Sequence, residues 1–409
     1  MELNGQGSQA KRLFKIMSEV VTAPISGKSS LDDLHRQLGA TMTERGGYSM
    51  PANYGDVLFE YSAVRAGGAG LIDLSSRGRL RVTGSEAVQF LNGLITNDMK
   101  TLAENSWMPA AFPNVQGRLL ASVRVIHQAA ADNGADGFLI DTEAATRAQV
   151  LKTVERFTLA GDFHVTDLAK QTALISIQGA KAVEMVCAGF GETAESLSEI
   201  IAAIGHQAVA YARWRGQAVT IIRATHTAED GFDLFIDASA AAELWNALLK
   251  AGARPIGFEA FEILRLEAGR PRYGIDMDET NVVSETGLDD AISYTKGCYV
   301  GQEIIARIKY RGHVAKKLSG LMFDQPVKIE RDAKINSLDG KEIGRITSAA
   351  LSPHLGRTIA LGYVKYDYLA ANTEVRVQLD ESEHAARVVA LPFTRGNWYT
   401  SGTNASLSN

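Results

Sequence analysis

The sequence predicts an α+β fold with two related α+β subdomains followed by a C-terminal antiparallel β-barrel. At 409 residues the chain exceeds the about 250–300 residues at which a single hydrophobic core stops growing, so two or three domains are expected. A unit of strand, glycine and helix occurs twice, which indicates two subdomains of one kind. Beyond Leu318 the apolar residues alternate with a period of two, which is typical of β-strands and here indicates a small barrel.

The first unit begins with a strand-like segment at residues 79–83, which ends at Gly84. Ser85 is a favourable N-cap, and apolar residues then recur at helical spacing. These apolar residues are Ala87, Phe90, Leu91, Leu94 and Ile95. The pattern predicts a strand, a tight turn and an amphipathic helix.

The second unit repeats this order, with a strand at residues 173–177, a turn at Gly179 and a helix after the turn. Residues 83–88 (TGSEAV) and 178–183 (QGAKAV) align without a gap. The apolar face of the second helix consists of Val183, Val186, Cys187 and Phe190. Cys187 is therefore expected in the hydrophobic core.

Two further helices and the barrel strands follow. One helix comes after Asp237 and ends at Gly252, and another runs from Phe258 to Gly269. Residues 338–341 (LDGK) indicate a tight hairpin, and the alternating segments are residues 343–347, 360–364, 374–379 and 386–391. We expect an N-terminal extension at residues 1–39, the two subdomains at 40–311 and the barrel at 312–409.

Composition and charge exclude several classes of protein. A net charge of -5 and a pI of about 6.0 argue against a protein that coats nucleic acid, so no direct nucleic-acid binding is expected. No apolar run approaches the about 18 residues of a membrane span, so no membrane association is expected. Cys187 and Cys298 lie far apart, which fits a reducing compartment. The expected location is the cytoplasm, or the mitochondrial matrix if the source is eukaryotic.

Three short patterns do not add a site. Residues 26–30 (SGKSS) resemble the end of a phosphate-binding loop, but Thr22 stands where that loop requires its first glycine. A short apolar stripe within residues 13–20 predicts a loosely attached helix, with a mitochondrial presequence as the alternative. The sequence has no C-x-x-C or H-x-x-x-H pair, so no metal site made by this chain alone is expected.

The segment at residues 296–303 (KGCYVGQE) combines the residue types of a reactive cysteine site. Lys296 lies two residues from Cys298, and a helix is expected to begin at Gln302. A thiol reacts as its thiolate, and a nearby cation or helix N-terminus lowers a thiol pKa. One interpretation makes Cys298 and Lys296 catalytic residues and Gln302 a ligand contact. From these residue types alone, a buried, inert cysteine in a glycine-rich turn is the stronger interpretation, because free cysteines are commonly buried.

The same segment resembles the K-G-C-[FY]-x-G-Q-E signature of the folate-binding YgfZ family, within the glycine-cleavage T-protein (aminomethyltransferase) superfamily. Upstream, residues 265–276 (RLEAGRPRYGID) resemble the R-x-E-x-G-x-P-x-x-G-x-D run of that family. Further landmarks stand in the family's order at residues 94–98, 114–118, 229–233, 346–348, 352–353 and 391–393. The resemblance covers residues 40–394.

This resemblance implies a three-lobed ring around a central channel that holds tetrahydrofolate or another reduced folate. Asp233 would pair with pterin nitrogens, because a carboxylate accepts two N–H bonds at once, and a solvated strand residue is the alternative. Thr142 falls where the T-protein has a folate-contacting asparagine, and Tyr273 would line the same channel or simply pack.

The resemblance also implies a cellular role. The YgfZ-type role is assistance to the assembly or repair of iron–sulfur clusters in 4Fe–4S enzymes, including tRNA-modifying enzymes. The implied partners are those iron–sulfur enzymes or their assembly proteins. The reactive group for this role would be the thiol of Cys298.

Two positions depart from the T-protein pattern. Ser122 stands where the T-protein has a catalytic aspartate, and Phe261 stands where it has a folate-side arginine. Serine carries no charge with which to exchange a proton at neutral pH, so no glycine-cleavage activity is expected. A tetrahydrofolate-dependent aminomethyltransferase or other one-carbon transferase is one alternative, and a noncatalytic folate-responsive scaffold is another. The residues leave open whether a substrate is turned over.

Overall fold

The predicted fold class is confirmed by a computed structural model. It describes residues 27–128, 137–159, 161–191, 197, 199–201, 204–379 and 382–399. Two large sheets, a small three-stranded sheet and helices form the first part of the chain, and a closed six-stranded antiparallel barrel forms the last part.

The elements follow the chain in this order. The strands before the barrel are β1 (Gly27–Lys28), β2 (Thr41–Arg45), β3 (Tyr48–Asn53), β4 (Gly70–Asp73), β5 (Gly78–Thr83), β6 (Ser106–Pro113), β7 (Leu119–Gln128), β8 (Gly137–Thr142), β9 (His164–Asp167), β10 (Thr172–Gln178), β11 (Val209–Trp214), β12 (Gln217–Arg223), β13 (Gly231–Asp237) and β14 (Arg254–Pro255). The barrel strands are β15 (Lys316–Phe323), β16 (Lys334–Asn336), β17 (Glu342–Ser352), β18 (Arg357–Lys365), β19 (Glu374–Leu379) and β20 (Ser382–Val389). The helices with described bounds are α1 (Asp32–Gln37), α2 (Val57–Arg65), α3 (Ala87–Leu94), α4 (Arg147–Glu155), α5 (Ala182–Phe190), α6 (Ala241–Lys250), α7 (Phe258–Glu267) and α8 (Gln302–Arg311).

The first four strands of the two large sheets follow the same order. The five-stranded sheet runs β6-β7-β8-β5-β9, and the six-stranded sheet runs β11-β12-β13-β10-β4-β14. β5 and β10 therefore take the same place, and each leads into a glycine with positive φ, Gly84 at 112° and Gly179 at 137°. A Cβ at these glycines would lie 2.1 and 2.3 Å from a backbone oxygen, so each glycine is sterically required. The repeat predicted from residues 83–88 and 178–183 is thus a repeat of structure.

The predicted helices are present, with one difference at an N-terminus. Ser85 is not the N-cap of α3, because Glu86 takes that position without a side-chain hydrogen bond. The Ser85 hydroxyl instead donates to Oδ2 of Asp162 at 2.8 Å. Cys187 on α5 packs against the core of the six-stranded subdomain, as predicted, and burial raises the pKa of its thiol. No helix within the described residues is long and apolar enough to cross a membrane.

The segment that contains β1 and α1 is held against the six-stranded sheet. Leu31 belongs to the core of that subdomain, and His35 is fully buried. Asp73 on β4 accepts a hydrogen bond from the Ser29 hydroxyl at 2.7 Å and lies 3.0 Å from Nε2 of His35. Ser29, within the segment at residues 26–30, therefore has a structural role. The apolar stripe within residues 13–20 lies outside the described residues.

The barrel closes in the order β15-β18-β17-β16-β19-β20, and the LDGK hairpin connects β16 to β17. Two carboxylates of the segment at residues 265–276 accept hydrogen bonds from barrel strand β17. Oδ1 of Asp276 accepts from the Thr347 hydroxyl at 2.7 Å, and Oε1 of Glu267 accepts from the Ser352 hydroxyl. In the segment at residues 265–276, Glu267 and Asp276 therefore have a structural role, because they attach the barrel to the rest of the chain.

Candidate functional site

A chain of buried charges connects the two sheets. Arg124 on β7 donates from Nη1 to Oδ2 of Asp233 on β13 at 2.6 Å. Its Nε donates to Oδ2 of Asp141, its register partner on β8, at 2.8 Å. Arg77 donates to Oδ1 of the same Asp141 at 2.8 Å. Both carboxylates are fully buried, and each has a cation at hydrogen-bond distance, which is how proteins keep such charges buried.

His226 completes this chain at Asp233. Nε2 of His226 lies 2.9 Å from Oδ2 and 3.1 Å from Oδ1 of Asp233. The backbone N–H of His226 donates to the side chain of Gln178 at 2.8 Å, which fixes the position of the residue. Burial alone would raise the pKa of Asp233, but His226 and Arg124 hold it well below its usual range. Burial lowers the pKa of His226 in spite of the neighbouring carboxylate.

A recess lies next to this chain. The side chains of Arg270 and Asp290 are exposed, yet burial lowers the pKa of Arg270 and raises that of Asp290. Both groups keep contact with solvent while protein atoms surround them, and the electrostatic interactions of Arg270 with Arg124, Asp233 and Asp290 place it beside the chain of charges. Nη2 of Arg124 is buried without a hydrogen-bond partner in the described part of the chain. We call Arg124, His226, Asp233, Arg270 and Asp290 the recess cluster.

Asp233 and Thr142, both predicted as folate contacts, are buried within the protein. Asp233 has no exposed surface, and Arg124, His226 and Ser176 are its hydrogen-bond partners. A ligand could therefore touch it only if His226 or Arg124 moved aside. Thr142 is also fully buried, and its hydroxyl lies 2.7 Å from that of Thr146. Hydrogen bonds within the protein thus occupy both side chains.

The two positions that the family resemblance marks as departures, Ser122 and Phe261, lie close to members of the recess cluster. Ser122 and Arg124 are two residues apart on β7, so their side chains project from the same face of the sheet. Thr142 follows Asp141 on β8 and therefore projects from the opposite face. Phe261 on α7 contacts His226 edge to face, with ring centroids 6.1 Å apart.

Lys296 is anchored in the structure. Its side chain is buried, and Nζ donates to the carbonyl oxygens of Asn92 at 2.7 Å, Ile95 at 3.0 Å and Asn97 at 2.6 Å. An ammonium group has three donors, and these three carbonyls use all of them. Burial lowers the pKa of Lys296 to about 8. The lysine therefore ties its segment to the end of α3 and the turn after it.

The rest of the segment is anchored at a second point. Gly301 has a φ of 77°, and a Cβ there would lie 2.4 Å from the carbonyl oxygen of Asn114. Tyr299 is buried in a small apolar cluster with Met277 and Ile305, and Tyr273 packs against that cluster. Tyr273 is thus placed beside the cysteine segment by packing. The landmarks at residues 94–98 and 114–118 are the surfaces on which the segment rests.

Cys298 lies between these two anchors and is exposed. Gln302 begins α8, and its side-chain amide donates to the carbonyl oxygen of Lys296 at 3.5 Å, a long contact. The segment therefore presents the thiol on a backbone that is held on both sides. Within the described ranges, no three His, Cys, Asp or Glu side chains are grouped so that they could hold a metal ion.

Four members of the recess cluster were not predicted from the sequence: Arg124, His226, Arg270 and Asp290. Arg124 lies on an alternating strand, where a charged residue normally faces solvent. His226 lies seven residues before Asp233, and that spacing is not a known motif. One signal in the sequence could have identified Arg124. It lies two residues after Ser122, so the two side chains share a face of the strand, and a position where a catalytic carboxylate is replaced marks the residues near it as candidates.

Comparisons with known proteins agree on one family. The family model described as GCVT N-terminal domain matches residues 31–296, and that of the glycine cleavage T-protein C-terminal barrel domain matches residues 316–394. An aminomethyltransferase of Nostoc sp. is 30% identical over 92% of this chain and 98% of its own length. An aminomethyltransferase of Koribacter versatilis is 33% identical over 90% of this chain and 95% of its own length.

One solved structure supports the fold. The crystal structure of glycine cleavage system aminomethyltransferase T from Bartonella henselae matches with a TM-score of 0.81. It covers 90% of this chain and 98% of its own, at 24% sequence identity. At that identity the likeness demonstrates the three-dimensional arrangement alone.

Proposed function

The chain belongs to the glycine cleavage T-protein family, and from this premise we propose that it is a tetrahydrofolate-dependent one-carbon transferase. The name of the relatives, aminomethyltransferase, supports this function better than the iron–sulfur role suggested by the cysteine segment. The observation that carries the proposal is the recess cluster, in which the exposed Arg270 interacts electrostatically with the Arg124–Asp233 pair that joins the two sheets. Such a concave site with a few convergent polar groups is typical of small-molecule binding.

The residues of the recess cluster fit a reduced folate, which carries N–H donors as well as carbonyl and carboxylate acceptors. The exposed guanidinium of Arg270 would donate to its oxygens. Asp290 would accept from an N–H group. Asp233, which is fully buried, would act through His226 and Arg124. When bound, a reduced folate supplies a nucleophilic nitrogen for the one-carbon unit.

Removal of the charge at Arg270 is expected to weaken tetrahydrofolate binding. Arg270→Met should raise the Kd about tenfold or more, because a charge-assisted hydrogen bond to the ligand is lost. Isothermal titration of the parent and the variant measures this change. Arg156→Met, at an exposed arginine at the end of α4, is the matched control and should bind like the parent. A parent without detectable folate binding, or an Arg270→Met variant with the parental Kd, would contradict the proposal.

A second function is favoured by one specific observation, the exposed thiol of Cys298 on a segment anchored at Lys296 and Gly301. We propose as the second candidate that this thiol assists the assembly or repair of iron–sulfur clusters, in the cytoplasm. One thiolate cannot hold a cluster alone, so iron–sulfur enzymes or assembly proteins would supply the other ligands.

The second candidate function predicts that Cys298→Ala does not complement a strain that lacks its own YgfZ protein. The parent should restore the activity of 4Fe–4S enzymes there, and Cys298→Ala should not, because the thiol that contacts the cluster or its sulfur is lost. Cys187→Ala is the control, since that thiol packs against a hydrophobic core. Equal rescue by the parent and Cys298→Ala would remove the thiol from the function.

A further inference from the structure

On the basis of the transferase function proposed above, we infer that His226 is the general base of the recess, with Nδ1 as the atom that accepts the proton and Asp233 as the residue that positions the ring. The inference depends on two geometric observations and on one departure that the family resemblance marks in the sequence. These are the contact of Nε2 with Asp233, the open side of Nδ1, and the replacement of the T-protein aspartate by Ser122.

The contact with Asp233 determines the tautomer of His226. Nε2 lies 2.9 and 3.1 Å from the two carboxylate oxygens, and an ionised carboxylate can only accept hydrogen bonds. Nε2 therefore carries the proton and donates to Asp233. In the neutral ring the other nitrogen, Nδ1, then has a free lone pair. A carboxylate that orients a histidine in this way is the positioning element of many acid–base sites.

Nδ1 is open to a ligand. It has no hydrogen-bond partner among the described residues and is not one of the enclosed unpaired atoms, and the side chain of His226 keeps 16% of its surface accessible. The backbone N–H of His226 bonds to Gln178 and the ring contacts Phe261 edge to face, so backbone and ring are both held. The accessible part of the ring is therefore on the side that Asp233 does not occupy.

Burial, more than the surrounding charges, favours the neutral form of the ring. The groups that face it are Asp233 from its own sheet, Arg124 from β7 and Arg270 from the segment after α7. Burial and the two arginines lower the pKa of His226, while Asp233 raises it, and the net direction is downward. A neutral imidazole is the form that accepts a proton, so the base is active at and above neutral pH and is lost on acidification.

His226 supplies the proton acceptor that a serine at residue 122 cannot provide. The lone pair of an amine nitrogen in the recess forms the new bond to the carbon of the one-carbon unit. The bond from that carbon to its leaving group breaks, and its electron pair goes to the leaving group. The amine proton passes to Nδ1 of His226, and the imidazolium then returns it to the leaving group. All charges and protons are thereby balanced, and the ring ends neutral.

The first test measures which ring nitrogen of His226 carries the proton, and it does not require enzymatic turnover. In full-length protein labelled with ¹⁵N-histidine, the His226 resonances are those missing from His226→Gln. We expect a protonated Nε2 and an unprotonated Nδ1 at pH 7, with protonation only below the ordinary histidine pKa of about 6.5. In Asp233→Asn the preference for this tautomer should be lost, because the carboxylate that accepts from Nε2 is gone.

The second test separates binding from proton transfer. Glutamine keeps an N–H near the position of Nε2 but has no base at Nδ1, so His226→Gln should bind tetrahydrofolate within about threefold of the parent while turnover falls about 100-fold or more. The rate of the parent should decrease on acidification below pH 6.5, and the variant should lack this dependence. His164→Gln removes an exposed histidine 3.0 Å from Asp162 and should keep the parental rate.

The outcomes distinguish failure of the transferase function from failure of the role assigned to His226. A parent that binds reduced folate and transfers a one-carbon unit, with His226→Gln slow and His164→Gln normal, supports both. A parent that does neither overturns the transferase function. Turnover in the parent with an equally fast His226→Gln overturns the role of His226 alone. A His226 ring that is protonated at Nδ1 or charged at pH 7 also overturns that role, whether or not turnover is found.

Discussion

Replacement of Lys296 with methionine is expected to destabilise the protein by about 3 kcal/mol, because three carbonyl oxygens lose the charged donor that satisfies them. Methionine fills a similar volume but donates no hydrogen bond. Two of the three acceptors, in Asn92 and Ile95, are buried, so water cannot fully replace the ammonium group there. Urea unfolding of parent and variant measures the loss as a lower midpoint.

The control for this experiment is Lys250→Met, at an exposed lysine at the end of α6. It should change the free energy of unfolding by less than about 0.5 kcal/mol, as surface substitutions generally do. If Lys296→Met were as stable as the parent while alkylation of Cys298 became slower, the lysine would act on the thiol and its structural role would be wrong.

Gly301→Ala is expected to have a comparable or larger effect, about 3 kcal/mol or more of lost stability. Two costs add at this residue. The φ of 77° is unfavourable for any residue with a Cβ, and that Cβ would lie 2.4 Å from the carbonyl oxygen of Asn114. Because the clashing atom belongs to the backbone, relief requires movement of the whole turn at residues 114–117.

The same segment offers a matched control in Gly297. A Cβ there meets no atom within 4 Å, and its φ does not lie in the left-handed region. Gly297→Ala should therefore leave the unfolding midpoint almost unchanged. Differential scanning calorimetry of both variants tests the pair, and equal melting temperatures for Gly301→Ala and the parent would show that the turn adapts without cost.

The sequence was a good guide to local structure. The strand–glycine–helix units at Gly84 and Gly179 could be predicted because a positive φ and a change of hydrophobic period are both local signals. The end of α7 before Gly269 could be predicted for the same reason. The Ser85 cap was wrong because Asp162, far away in the chain, competes for its hydroxyl.

The candidate site was only partly predictable. Asp233 and the cysteine segment could be found because the family resemblance points to them. The contact between Arg124 and Asp233 could not, since the two residues are 109 positions apart and lie on different sheets. A hydrogen bond between sheets depends on how the sheets pack, and alternation along one strand does not report that packing.

By itself, the sequence determined the fold class, the repeat of two subdomains and the barrel, because hydrophobic period, glycine positions and turn residues act within a few residues of each other. Only the tertiary structure decided what the charged side chains do. Lys296 is two residues from Cys298 in the chain, but its ammonium group is directed to three carbonyls contributed by residues 92–97. A buried charge bonds to whichever partners the folded chain brings within about 3 Å, and sequence distance does not set that separation.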